Sequence, residues 1–125
     1  MTHVVEQKAR LVGETDHTGI YALGEKESSG ANYHYSIESK HAKQNAISAI
    51  AQFHFQHGNP ADQVNGILSV DLLHILIDHI EGFQAGPYHS EDNAQALMHL
   101  KAALDFQQKR RQARVDRGVA DTTEV

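Results

Sequence analysis

Residues Asp78–Arg117, DHIEGFQAGPYHSEDNAQALMHLKAALDFQQKRRQARVDR, describe the end of one helix, a Gly-Pro turn and a long second helix that closes in a basic cluster. Gly82, Gly86 and Pro87 mark the turn, because glycine supplies unusual backbone angles and proline disfavours helix in the residue before it. Ser90 offers an N-cap oxygen, and Glu91 and Asp92 suit the positive end of a helix dipole. Ala94, Leu97, Leu100 and Leu104 then recur at helical spacing, and Gly118 is a natural stop. A first helix near 69–84 precedes the turn, with Ser69 as its expected N-cap and Asp71 in its first turn. Leu72, Leu73, Leu76, Ile77 and Ile80 form its broad apolar face. Ile75 and Phe83 widen that face beyond what one partner helix covers. In a chain this short, such width points to burial against a second subunit.

Upstream, Tyr33–Ser39 alternates apolar and polar residues as a half-buried strand does. Residues 46–56 fit both a helical and a strand period. Phe53 and Phe55 favour a strand, paired with 33–39. Val4-Val5, Leu11-Val12 and Ile20-Tyr21 suggest further short strands between turns at Gly13, Gly19 and Gly24. Residues 58–68, with Asn65-Gly66, read as a loop, and 119–125 as a polar tail. The expected fold is α+β: a small N-terminal antiparallel sheet (1–57) followed by a two-helix hairpin (69–84 and 91–117). The length of 125 residues suits one domain.

Composition narrows function. The chain has no cysteine, which excludes disulfides and thiolate metal sites. No apolar run approaches the ~20 residues of a membrane span, and the N-terminal MTHVVEQKAR is too polar for a signal peptide. A net charge of −5 argues against duplex nucleic acid. Yet no Lys or Arg lies between Lys43 and Lys101, and Lys109, Arg110, Arg111, Arg114 and Arg117 then crowd together. They read either as a solvated helix end or as a small anion site. Ten histidines invite a metal reading, but their spacing and the absence of HExxH favour scattered surface or satisfied histidines. No catalytic residue is expected: GxSxG, Walker A and GxGxxG are absent. Asp78, Glu81, Glu91 and Asp92 could in principle serve a metal-dependent hydrolase, though capping and solvation explain them more simply. A protein-interaction module is a further alternative.

Four residues stand out for binding without chemistry. Arg110 and Arg114 share one helix face and could fork onto phosphate oxygens. Phe83 could stack on a base or pack in a core. Asn93 could cap locally or read a polar ligand edge. Asn93 and Arg110 are 17 residues apart on one helix, about 25 Å. A ligand of nucleotide size cannot bridge that distance within one chain, so a shared site needs two subunits.

The stretch Val64–Val119 resembles the helical-hairpin family of small phage proteins that includes the Thoeris anti-defence sponge and its shorter anti-CBASS relatives. The resemblance rests on VNG at 64–66, the run from Leu72 through EGFQAGP and its following aromatic, Asn93-Ala94, and R-x-x-x-R before R-G-V. Ala31-Asn32-Tyr33-His34-Tyr35 adds a similarity to the family's strand region. Membership implies a non-enzymatic, cofactor-free protein of the host cytoplasm that holds immune signalling nucleotides away from their effectors. The implied ligand is glyco-cyclic ADP-ribose, with cyclic di- or trinucleotides taken by some members at separate sites. The implied assembly is a homo-oligomer, a dimer or a hexamer built from dimers. The implied pocket residues are Phe83 (stacking), Asn93 (base or ribose edge), and Arg110 and Arg114 (pyrophosphate). The chain departs from the family where Cys-Arg-Glu-Asn often precedes the second helix. Here His89-Ser90-Glu91-Asp92-Asn93 stands instead, without the arginine, which weakens the case for a second cyclic-nucleotide site.

Overall fold

The computed structural model describes residues 8–43, 48–120 and 122. Four strands come first: β1 Ala9–Glu14, β2 Thr18–Leu23, β3 His34–Ser39 and β4 Ala49–His54. Two helices follow, α1 Ser69–Gln84 and α2 Glu91–Asp116. The α+β order expected from the sequence is therefore the observed one. The strands form one antiparallel sheet in the order β1-β2-β3-β4. The chain groups into two compact units, the sheet with Val64–Ile67 and the helices with Gly58–Gln63. Among the described residues no helix is long and apolar enough to cross a membrane.

The sheet differs from expectation at its glycines. Gly13 and Gly19 do not make turns; they lie inside β1 and β2. The register shifts between Leu11 and Gly13, a bulge that breaks the period-two pattern used to read strands. Gly19 is packed beneath the Tyr21 ring, 2.9 Å from where a Cβ would stand. The β1–β2 turn is made instead by Thr15. Its hydroxyl accepts the N–H groups of His17 (3.1 Å) and Thr18 (3.0 Å), a side-chain mimic of a backbone turn. Gly24 does end β2, with φ 77°. The 46–56 strand is shorter than expected, Ala49–His54. Phe55 adds one parallel bridge to Ile67, so the 58–68 connection is tied to the sheet near its end. The expected Val4-Val5 strand and residues Ala46 and Ile47 lie outside the described residues.

Gly66 is required by this tie. A Cβ there would stand 2.5 Å from the Phe55 carbonyl carbon. Backbone cannot yield as a flexible side-chain end can, so Gly66→Ala is expected to destabilise the sheet unit by about 1–3 kcal/mol. A lowered melting temperature, with the helical signal retained, is the measurement.

Alternation along β3 sorts the sheet into two faces. Tyr35 pairs with Ala22 and Phe53, and its ring stacks on Phe53 at 5.8 Å and meets Phe55 edge-on at 5.7 Å. The other face carries His34, Ser36 and Glu38. Ser36 and Ser48 both donate to the Glu38 carboxylate, in that order the causes that hold its pKa below the usual 4.5. His34 stacks on its cross-strand partner His54 at 4.0 Å. Its Nε2 is buried without a partner among the described residues. Burial first, and the neighbouring His54 second, lower the His34 pKa from 6.5.

Both shifts have the same consequence. A histidine or carboxylate with a lowered folded-state pKa takes up protons less readily folded than unfolded, so acid favours unfolding. The His34 contribution is complete above pH 6.5 and falls away as pH drops below it. The Glu38 contribution follows as pH drops below 4.5. The sheet is expected to melt at lower temperature at pH 5 than at pH 7, with little change above pH 7. Near-UV circular dichroism of the Tyr35–Phe53–Phe55 cluster reads this, and His54→Gln should reduce the first loss.

The helical hairpin follows the sequence closely. Ser90 is the N-cap of α2, accepting the Asn93 N–H at 3.0 Å. Gly118, with φ 73°, ends the helix; Arg117 is its C-cap rather than its last residue. Three details change. The α1 N-cap is Leu68, not Ser69, which is the first helical residue; Asp71 carries the cap by accepting the Leu68 N–H at 2.7 Å. Gly82 lies within α1, so the turn begins after Gln84. Neither Gly82 nor Gly86 is among the positive-φ glycines; Ala85, the C-cap of α1, keeps helical backbone (φ −81°, ψ −6°), and Pro87 follows two residues later. Lys101 pairs with Glu81 at 3.1 Å, joining α2 to α1. Only Ile77 of the described helical residues is buried. Ile75 is 62% exposed and Phe106 67%, and Leu76 and Met98 are also open to solvent.

Candidate ligand-binding site

Phe83 and Asn93 lie on either side of the hairpin turn, and each is linked to Tyr88 within it. Gln84 clamps Ser90 from both sides, donating to its carbonyl (3.0 Å) and accepting from its N–H (2.9 Å). That clamp fixes the first turn of α2, and with it Asn93. The Asn93 Nδ2 donates to the Tyr88 carbonyl at 3.2 Å. The amide is thereby oriented, leaving Oδ1 as an open acceptor beside one remaining N–H. Phe83 is 39% exposed and has His79 edge-on at 4.8 Å and Tyr88 at 6.2 Å. Tyr88 is 74% exposed. A partly open aromatic ring beside an oriented amide can stack on a planar group and read its polar edge. Gln84 and Tyr88 were not singled out from the sequence. Tyr88 is visible there as the aromatic after Gly-Pro, whereas the Gln84 clamp leaves no sequence signal.

Arg110 and Arg114 lie at the other end of α2. Ser69, the first residue of α1, lines a shallow apolar groove together with Phe106 and Gln107. The two arginines therefore stand about one and two turns beyond the start of α1. Arg110 is exposed and makes no hydrogen bond or ion pair among the described residues. Arg114 is half-buried, and its Nη2 donates to the carbonyls of Val119 (3.0 Å) and Thr122 (3.1 Å). Val119 and Thr122, within the expected polar tail, are thus tied back to the helix. Both two-point edges of a guanidinium, Nε–Nη2 and Nη1–Nη2, include Nη2. As it stands, Arg114 offers single contacts through Nε or Nη1, and Arg110 is the arginine free to fork. Lys109 is committed to Asp105 at 2.9 Å and lies 5.3 Å from the Phe106 ring centre.

The structure thus brings Phe83 and Asn93 together, and Arg110 and Arg114 together, but not one pair to the other. The 26-residue α2 separates them. Of the carboxylates weighed for hydrolysis, Asp78 and Glu81 lie on α1, with Glu81 paired to Lys101, and Glu91 holds the Gln95 amide at 3.0 Å. No group of three or more His, Asp or Glu among the described residues could hold a metal ion.

Residues 49–111 match the family model described as Acb2/Tad1, hairpin domain. That is half of the chain, from β4 to the basic end of α2. This chain belongs to the Acb2/Tad1 hairpin family. A relative from Bacillus phage SBSphiJ7 named "Thoeris anti-defense 1" is 33% identical over 76 residues, 60% of this chain. The aligned part spans about half, 54%, of that relative's length. Phe83, Asn93 and Arg110 fall inside the stretch matched by the hairpin family, and Arg114 lies three residues past its end.

Proposed function

We propose that this Acb2/Tad1 hairpin protein is a phage anti-defence protein that acts in the host cytoplasm by sequestering an immune signalling nucleotide without degrading it. Glyco-cyclic ADP-ribose is the first ligand to test, and cyclic di- or trinucleotides are the second. The observation that carries this reading is the split constellation on one hairpin. An aromatic and an oriented amide stand at one end, and two arginines at the other, about 25 Å away. Each half suits one part of an ADP-ribose-type ligand: a base for Phe83 and Asn93, a pyrophosphate for Arg110 and Arg114. Neither half is complete alone. The exposed Ile75, Leu76, Met98 and Phe106 give the hairpin an apolar surface for a second copy, which would bring the opposite ends together in a homo-oligomer. The name of the phage relative supports the anti-defence role.

Titrating the purified protein with glyco-cyclic ADP-ribose tests the reading. Saturable binding at micromolar protein, followed by release of unchanged ligand on heat denaturation, is the expected result. Conversion of the ligand would instead indicate an enzyme. Absence of binding to this ligand and to the cyclic oligonucleotides would remove the sequestration reading.

A further inference from the structure

The sheet unit carries a second cationic feature, unrelated to the helix end. Lys8 and Arg10 on one side, and Gly24, Glu25 and Lys26 on the other, line a cleft of about 420 Å³ with Asn32. Three cations against one carboxylate give it a net positive charge in a chain whose net charge is −5. Lys8 pairs with Glu25 at 2.9 Å, but both side chains are largely exposed, and such surface pairs exchange readily with other ions.

Arg10 is the ordered part of the cleft. Its Nη2 donates to the Asn32 Oδ1 at 2.9 Å. Asn32 is only 5% exposed, and its own Nδ2 donates to the Gly24 carbonyl at 3.2 Å. Gly24 in turn donates its N–H to the Lys8 carbonyl at 2.7 Å, closing the end of the β1–β2 pair. A buried amide, engaged through both its oxygen and its nitrogen, therefore holds the guanidinium in place. The choice of amide matters. A carboxylate at position 32 would orient Arg10 and cancel its charge, whereas Asn32 orients it and leaves the charge whole. Among the described residues neither Arg10 nor Lys26 has an acidic partner. One Nη2 hydrogen is used by Asn32. Nε, Nη1 and the second Nη2 hydrogen remain, enough for one two-point contact.

We propose that this cleft is an anion site for a phosphoryl group of a small phosphorylated ligand. A single carboxylate would satisfy the Arg10 fork, leave Lys26 without an acceptor and offset only one of the two net positive charges of the cleft. A phosphoryl group offers three oxygens and up to two charges, matching one fork and two point charges. The cleft volume exceeds that of the anion alone and leaves room for a small organic part.

Inorganic pyrophosphate is the probe, read by backbone amide NMR shifts on the full chain. Shifts are expected at residues 8–10, 24–26 and 32 at millimolar pyrophosphate, weakening as salt is raised. They should persist in the Arg110→Ala/Arg114→Ala protein, which separates this cleft from the helical site. Arg10→Gln should weaken the response about tenfold or more, and Lys26→Gln, at an exposed loop position that cannot unfold the sheet, by a smaller factor. No shifts at these amides, or shifts that survive both single substitutions unchanged, would overturn the proposal. Retention of the wild-type melting temperature in Lys26→Gln keeps the second arm interpretable if Arg10→Gln unfolds.

Discussion

Arg110→Ala/Arg114→Ala is expected to abolish nucleotide capture while the protein remains folded. Each arginine would supply a charge-assisted contact to a phosphate oxygen. Such contacts are worth about 1.5–3 kcal/mol each, so losing two costs on the order of a hundredfold to ten-thousandfold in affinity. The structure separates the two contributions. Arg110 has no partner among the described residues, so its removal should leave the melting temperature unchanged and act on binding alone. Arg114 ties α2 to the Val119 and Thr122 carbonyls, so its removal also loosens the segment after Gly118. Arg114→Lys restores a charge but not the paired contact to both carbonyls. An affinity for Arg114→Lys between those of the wild type and Arg114→Ala assigns Arg114 to the ligand. Equal loss in both variants assigns it to holding the chain end. Undiminished capture of glyco-cyclic ADP-ribose by the double variant would remove the arginines from the site.

The hairpin was far more legible in the sequence than the sheet, for physical reasons. Helix limits are written by side chains: Ser90 caps α2, Gly118 stops it, and Leu97, Leu100 and Leu104 repeat on one face. The sheet is written partly in backbone. Gly13 sits at a bulge and Gly19 under the Tyr21 ring, so both look like turns to any reading that treats glycine as punctuation. The true turn at Thr15–Thr18 contains no glycine and is closed by the Thr15 hydroxyl together with a backbone bond from the Thr15 N–H to the Thr18 carbonyl. The same division runs through the site. The separation of the four candidate residues could be read from helical spacing, whereas their roles are what the family resemblance implies. The carbonyls that orient Asn93 and occupy Arg114 have no signature, because every residue has a carbonyl. Their effects are nonetheless specific, since they decide which amide edge is open and which arginine can fork.

Two separately inactive variants are expected to restore capture when mixed. In Phe83→Ala/Asn93→Ala the turn end is lost and the basic end kept. In Arg110→Ala/Arg114→Ala the reverse holds. If a site takes its turn end from one protomer and its arginines from another, each variant alone has only half-sites. A mixed dimer has one site with both halves missing and one with both halves intact. With random exchange of subunits in a symmetric dimer, roughly a quarter of the wild-type capacity should return. If each chain held a complete site, mixing would return nothing. The exchange itself can be checked through the apolar surface of the hairpin. Ile75 and Phe106 are more than 60% exposed in the single chain, so Ile75→Asp with Phe106→Glu removes little packing within the hairpin. In an interface between copies, the same two changes would bury unpaired carboxylates at several kcal/mol each. The expected protein is helical by circular dichroism, monomeric by native mass, and unable to bind. Adding it to either inactive variant should restore nothing, because a chain that cannot assemble cannot lend its intact half to a partner. A monomer that still captures ligand would overturn the two-chain site, because about 25 Å along α2 is too far for a ligand of nucleotide size to bridge within one chain.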